Sequence, residues 1–422
     1  MSIVNIISAI GNNDSVYPLL VRDCGIENVA KCALTYKQNA KESKYAALEA
    51  TRERIIDEYG TSAVWLAGVP LLNKLSDKFI KKLGFAPEVN LKLFNESEAQ
   101  GIQLNIEKFK NKLPDIVEQI KKVQNNKTKY QNLQVMKFFA TTAIPIGVMG
   151  FLLPKINFLY TKNKNENKKP QTKNTLAKAD MDKFIKNTKT DVSFKGLGEL
   201  ANLSNLQKMM ILDGGLTVGR VRTGRNKAEK AELALKMGLM CYLNYVAPKN
   251  IEKILNKLTK TIFGINTDLD IKLLNNKDFM QKIKNNSLKL PKGCDEKAII
   301  DFIDLNTTSD FVAQAKQLGL VSILDNNIRD PRKLVQTDKI AQLKEAVEKF
   351  AKDSTKSGDF DSFVKKAIKA KGFNTLANVA ISSFLLAGVL PKIQFWFRKK
   401  LTNSNIDPGI KQYTDKEGKQ KE

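Results

Sequence analysis

Apolar positions along most of this chain recur with the period of a helix. Tyr45, Leu48 and Ile55 are spaced for one face of a helix over 43–58, and Phe109, Leu113, Ile116, Val117 and Ile120 for another over 106–123. Segments 339–350 and 360–368 obey the same rule. No series of alternating apolar and polar positions announces a sheet, although the short blocks ending at Asn95 and Asn275 alternate briefly and read as extended. The expected fold class is all-α.

Twice the periodicity gives way to a continuous apolar run, at 138–153 and at 375–390. Each run is sixteen residues long, which is roughly 24 Å of helix. A bilayer core is about 30 Å thick, so the turn after each run brings it to spanning length. The two runs lead into nearly the same residues: Leu153-Pro154-Lys155-Ile156-Asn157-Phe158 in the first case, Leu390-Pro391-Lys392-Ile393-Gln394-Phe395 in the second. The lysine beside each proline can reach the head-group region, and aromatic residues sit where an interfacial belt belongs. The expected interface residues are therefore Lys155, Phe158 and Tyr160 in the first segment and Lys392, Phe395, Trp396 and Phe397 in the second. Two weaker runs, 62–72 with Pro70 and 233–247 before Pro248, read as buried or interfacial helices.

The repeated motif extends to a repeated order. Asp23-Cys24-Gly25 answers to Asp213-Gly214-Gly215, Pro70 to Pro248, and the block from Gly84 to Asn95 to the block from Gly264 to Asn275, with four of twelve positions identical. The offsets are 190, 178 and 180, then 237 at Pro154 and Pro391, which places an insertion of about 57 residues late in the second copy. The expected organisation is a helical module over 1–135, a membrane segment over 136–160 and a Lys/Asn-rich linker over 161–190. A second module with the insertion occupies 191–374, then come a membrane segment over 375–397 and a basic, disordered tail over 398–422.

Charge adds a partner class. Lys and Arg number 70 against 44 Asp and Glu, a net +26 that suits a polyanion such as nucleic acid or anionic lipid. Lysine supplies most of it and is spread along the chain, as an AT-rich coding bias would also give. Three of the nine arginines, Arg220, Arg222 and Arg225, fall in the glycine-rich stretch 213–226, where turning backbone and guanidinium forks form a candidate anion site. The stretch matches neither phosphate-loop nor dinucleotide patterns, and a shared structural turn explains its Asp and Gly equally well.

Enzymatic chemistry has little to stand on. The chain has no histidine, which removes Ser-His-Asp and Cys-His catalysis. Cys24, Cys32, Cys241 and Cys294 lack metal-ligand or redox spacing, and Asp325–Asp330 lacks the glycine and terminal glutamate of a calcium loop. No metal or cofactor is expected. The N-terminus lacks a basic region and a cleavage site, so no cleavable signal is expected. The reading is a non-enzymatic structural or scaffolding protein of the cytoplasmic membrane, with lipids and a protein or polyanion as partners. Alternatives are a polyanion-binding protein at the membrane surface and a small transporter or pore component.

Overall fold

The computed structural model describes residues 20–94, 99–166, 200, 203, 205–265 and 268–418. Among them no strand occurs, and the only β contact is one isolated bridge between Ile323 and Arg329. The helices in chain order are α1 Asn28–Asn39, α2 Lys44–Ala63, α3 Val69–Lys82, α4 Ile102–Phe109, α5 Pro114–Asn125 and α6 Lys127–Ile146. Then come α7 Leu153–Glu166, α8 Asn205–Thr223, α9 Lys227–Tyr245, α10 Ala247–Phe263, α11 Ile271–Leu274 and α12 Lys277–Lys284. The last six are α13 Glu296–Leu305, α14 Asp310–Gln317, α15 Thr337–Lys356, α16 Phe360–Phe384, α17 Leu390–Thr402 and α18 Pro408–Gly418.

Three π-helical turns interrupt this order, at Val64–Gly68, Gly147–Leu152 and Leu385–Val389. Each ends two residues before a proline: Pro70, Pro154 and Pro391. Proline has no N–H to give to the carbonyl four residues back, and its ring crowds that carbonyl. A wider turn just upstream relieves both problems without ending the helix. The apolar runs therefore continue into their Leu-Pro-Lys segments as long helices, the first with Pro145 inside it. The continuous helical stretches Lys127–Asn165 and Phe360–Thr402 are long and apolar enough to cross a membrane.

The chain divides into two compact units. The first comprises Met1–Glu27, Leu75–Tyr130 and Met240–Ala387; the second comprises Asn28–Lys74, Gln131–Leu239 and Gly388–Glu422. Both units draw on both halves of the sequence, so the compact bodies cut across the modules read from the repeated motifs.

The first unit holds an apolar core built from α12 to α16, with Phe279, Ile299, Ile303, Phe311 and Ile340 fully enclosed. Its helices start on side-chain caps: Asn276, Asp295, Ser309 and Asp359 each accept a main-chain N–H of the first turn. Charged groups are enclosed with them, Arg329 the most deeply among these. Arg329 is 1% exposed and sets Nε 2.7 Å and Nη2 3.1 Å from the two oxygens of Asp304, over the ring of Phe109. The segments carrying the Gly-to-Asn blocks share local form. Gly84 and Gly264 both end a helix in the left-handed region, with φ of 81° and 68°, which glycine adopts without a Cβ clash. Both blocks then make a four-residue helical turn, Leu91–Phe94 and Ile271–Leu274, rather than the extended segment expected. Buried Leu91, Leu93, Ile271, Leu273 and Leu274 account for the apolar pattern, and Asp270 caps the second turn at Lys272 N.

The second unit corrects two further expectations. The stretch 213–226 is not a glycine turn: α8 is helical through Thr223, and only the residues after it turn. Its glycines serve a helix crossing. A Cβ on Gly219 would stand 2.9 Å from the Cα of Gly150, and one on Gly215 would run into Ile146. Small residues four apart let α8 lie against the π-helical turn Gly147–Leu152 at backbone contact. Nor is the tail expected over 398–422 without structure where it is described: 398–402 close α17, α18 spans Pro408–Gly418, and 419–422 lie outside the described residues. Helix α18 is ordered, and Ile406 and Ile410 pack with Ala46 and Ala50 of α2. The expected linker is helical at its start, through Glu166; residues 167–190 lie outside the described residues.

Candidate functional site: a buried charge network

The second unit encloses charge. Helix α2 carries Glu49, Glu53 and Asp57 at four-residue spacing, with Arg54 and Glu58 on the adjoining row. Four residues per step drifts only about 40° around a helix, so these carboxylates share one face. In a surface helix such a row would be solvated. Here Glu49 is 2% and Glu53 8% exposed.

Each Leu-Pro-Lys helix sets an amide, and a second group one turn on, against a glutamate of this network, through different acceptor atoms in the two cases. In α7, Asn157 donates its Nδ2–H to the Glu53 carbonyl oxygen at 2.8 Å, and one turn on Thr161 bonds the Glu53 carboxylate. In α17, Gln394 donates its Nε2–H to Glu232 Oε1 at 2.6 Å. One turn on, Arg398 places Nη2 2.6 Å and Nε 2.9 Å from the same carboxylate. Asn157 and Gln394 occupy one position of the repeated motif, and Thr161 and Arg398 another. Arg398 also reaches Asp407 at 3.0 Å, ahead of α18.

The arginines of the expected anion site separate. Arg225 grips Glu53 with both terminal nitrogens, at 3.0 and 2.9 Å, and reaches Glu229 at 2.8 Å. Arg220 bonds Asp57 Oδ1 and Thr61 Oγ1, each at 2.7 Å. Both are occupied by groups of the chain itself. Arg222 lies on the exposed face of α8. The expected interface residues also divide. Lys155, Tyr160, Lys392 and Trp396 are exposed, Phe158 and Phe397 are half-buried, and Phe395 is buried. Three of the aromatics lie beneath arginines: Phe158 under Arg225 at 4.1 Å, Tyr160 under Arg52 at 4.3 Å and Phe395 under Arg398 at 5.2 Å.

Burial and charge pull these groups in opposite directions. Burial pushes the Glu53 carboxyl up to about 7, with Arg225 pulling the other way. Glu58 goes the opposite way. Burial raises it, but the charges of Lys31, Lys236 and Arg54 win and hold it well below the usual carboxylate range. Those three cations stand 3.6, 3.2 and 3.0 Å from its oxygens.

A cavity of about 80 Å³ opens among these helices, lined by Glu53, Asn157, Arg220, Gln394 and Arg398 among others. Three of the residues lining it hold a buried polar atom, Asn157 Oδ1, Gln394 Oε1 and Arg220 Nε, with no hydrogen-bond partner among the described residues. Buried polar atoms in a space of this size suit enclosed water or a very small polar guest. Among the described residues no group of three Cys, Asp or Glu side chains is placed to hold a metal ion.

The glutamates that receive the two Leu-Pro-Lys helices escaped sequence reasoning. The motif did carry a signal: an amide three residues after each proline, with a second hydrogen-bonding group four residues later. Nothing in the local sequence says which carboxylate it faces. No family model, no curated protein and no solved structure matches this chain.

Proposed function

We propose that this chain is a non-enzymatic structural protein of the membrane, built from two copies of one unit and anchored by its two Leu-Pro-Lys helices. The observation that carries the membrane reading is exposure. Only 39% and 28% of the apolar windows in Lys127–Asn165 and Phe360–Thr402 are buried by the protein. A core helix of a soluble protein would be mostly covered; here Ile144, Leu152, Ile381 and Phe384 stand open. Lipid is the solvent that suits such surfaces.

Two copies are supported by shared local devices. Both apolar runs end in a π-helical turn, both continue through Pro-Lys, and both dock an amide and the group one turn on against a single glutamate. Non-enzymatic character is supported by the pairing of the buried carboxylates, which leaves them structural partners already. Such a network fixes which helices lie together, a use of buried charge that costs stability relative to apolar packing. The transporter alternative draws on the small cavity and its unpartnered polar atoms, and we place it second because its charges are held in pairs.

Alkaline carbonate extraction of membranes from cells expressing the full chain tests this reading. Retention in the pellet is expected. Complete release into the supernatant would overturn the membrane assignment.

A further inference from the structure

Two helices, α3 and α10, expose the same surface twice. Along α3 and its end, Leu75, Phe79 and Leu83 recur at four-residue spacing and are 53%, 50% and 41% exposed. Along α10, Ile254, Leu258 and Ile262 do the same at 67%, 45% and 59%. Residue for residue these positions are 179 apart. Four-residue steps keep each apolar row within about 80° of arc.

A lysine row runs beside each apolar row at that same offset. Lys74, Lys78 and Lys81 lie on one flank in α3, and Lys253, Lys257 and Lys260 in α10, all exposed. The inward side of each helix is separate from both rows: Ile80 is 1% exposed, Leu255 5% and Thr259 0%. The apolar rows are therefore surplus to the fold's own packing. In α10 the inward side is fixed by polar contacts, with Thr259 and Asn256 both on Asn374 of α16.

A helix with a packed side, an open apolar row and a flanking lysine row has the form of an interfacial helix. Lysine stems can cover acyl chains while their ammonium groups meet phosphate, and the positive row selects anionic head groups over neutral ones. We propose that the open faces of α3 and α10 lie in the head-group region of an anionic lipid leaflet. Leu75, Phe79, Leu83, Ile254, Leu258 and Ile262 enter the acyl boundary, and the lysine rows sit on lipid phosphates. This rests on the membrane reading above and adds to it a lipid class and two contact surfaces.

The test uses the full chain with its four native cysteines replaced by serine, carrying Phe79→Cys or Leu258→Cys and a polarity-sensitive thiol dye. It is reconstituted in vesicles of phosphatidylcholine alone or mixed with phosphatidylglycerol. The expected result is a blue-shifted emission, quenched by shallow lipid spin labels, that is stronger in the mixed vesicles. The shift should fall toward the neutral-vesicle value when Lys74, Lys78, Lys253 and Lys257 become Gln. Water-like emission in both vesicle types, from protein that still resists carbonate, would overturn this proposal and leave the membrane reading standing. Blue-shifted emission that persists in lipid-free detergent, with a dimeric mass, would overturn it too, since a second copy would then cover the rows. Protein that carbonate releases from the same vesicles would overturn both.

Discussion

Arg398 is buried with its guanidinium on Glu232, Nη2 2.6 Å from one carboxylate oxygen and Nε 2.9 Å from the other. The pair joins the helix after the second apolar run to α9, and Gln394 shares the same carboxylate. Removing Glu232 would leave the Arg398 guanidinium buried with Asp407 and the Asn405 carbonyl as its remaining partners, and Gln394 without its acceptor. Glu232→Leu should therefore cost about 3–5 kcal/mol, while Glu232→Leu with Arg398→Met should recover most of the loss. Thermal unfolding of the three proteins in one detergent checks this. Equal melting of the single variant and the parent would show that the pair holds nothing together.

The backbone contact between Gly150 and Gly219 gives a second prediction. Gly219→Ala would put a methyl group 2.9 Å from the Gly150 Cα, with neither side chain able to rotate away. Separating the helices should cost about 1–3 kcal/mol. Gly214→Ala is the matched control: it meets nothing within 4 Å and should be neutral or slightly stabilising in a helix. If the two substitutions behave alike, α8 does not cross at Gly219.

Glu53 predicts a pH dependence. Its carboxyl is pushed up to about 7 in the folded chain against 4.5 for the ordinary group, so the fold binds this proton more tightly than the unfolded chain does. Its contribution is fully present below pH 4.5 and is lost as pH rises through about 7. The shift corresponds to about 3 kcal/mol between those limits. Glu58 acts with the opposite sign, since its lowered value makes stability fall in acid. Glu53→Gln should flatten the slope between pH 4.5 and about 7, measured by unfolding across that window. An unchanged slope would assign it to other groups.

The first unit has its own enclosed ion pair. Asp304 is held below the ordinary carboxylate range by Arg329 and Lys108 against the effect of burial. Asp304→Ala leaves the Arg329 side chain enclosed and should destabilise the core by about 3–5 kcal/mol. Asp301, half-turned outward on the same helix, should tolerate Ala within about 0.5 kcal/mol. Chemical denaturation resolves the difference, and equal effects would place the pair outside the core.

Much of the helical layout was legible because apolar spacing reports which way a helix faces. The runs at 138–153 and 375–390 showed themselves by length, and Leu-Pro-Lys by its repetition. The charge network was not legible. Glu49, Glu53 and Asp57 on α2 have the spacing of any solvated helix face, and only tertiary packing encloses the first two and half-buries the third. Gly215 and Gly219 misled for a related reason: glycine signals a turn in an isolated segment, but it also marks a helix crossing once a second helix is close. The ordering of α18 depended on two residues, Ile406 and Ile410, too few to stand out in a polar tail. Arg220 and Arg225 looked like a free anion site because Asp57 and Glu53 lie more than 160 residues away in the chain, although Glu229, also on Arg225, is only four residues on.

Phe384 offers the most direct test of the membrane assignment. It lies within the second apolar run and is 64% exposed on the protein surface. Its replacement, Phe384→Cys, would be made in a chain whose four native cysteines are serine, with Lys400→Cys as the exposed reference. Both would be treated with a charged maleimide in permeabilised membranes and again after detergent. A lipid-facing position leaves the Phe384→Cys thiol unreactive until detergent is added, while Lys400→Cys reacts from the start. Labelling of both at the same rate in the membranes would place the apolar run in water and contradict the assignment.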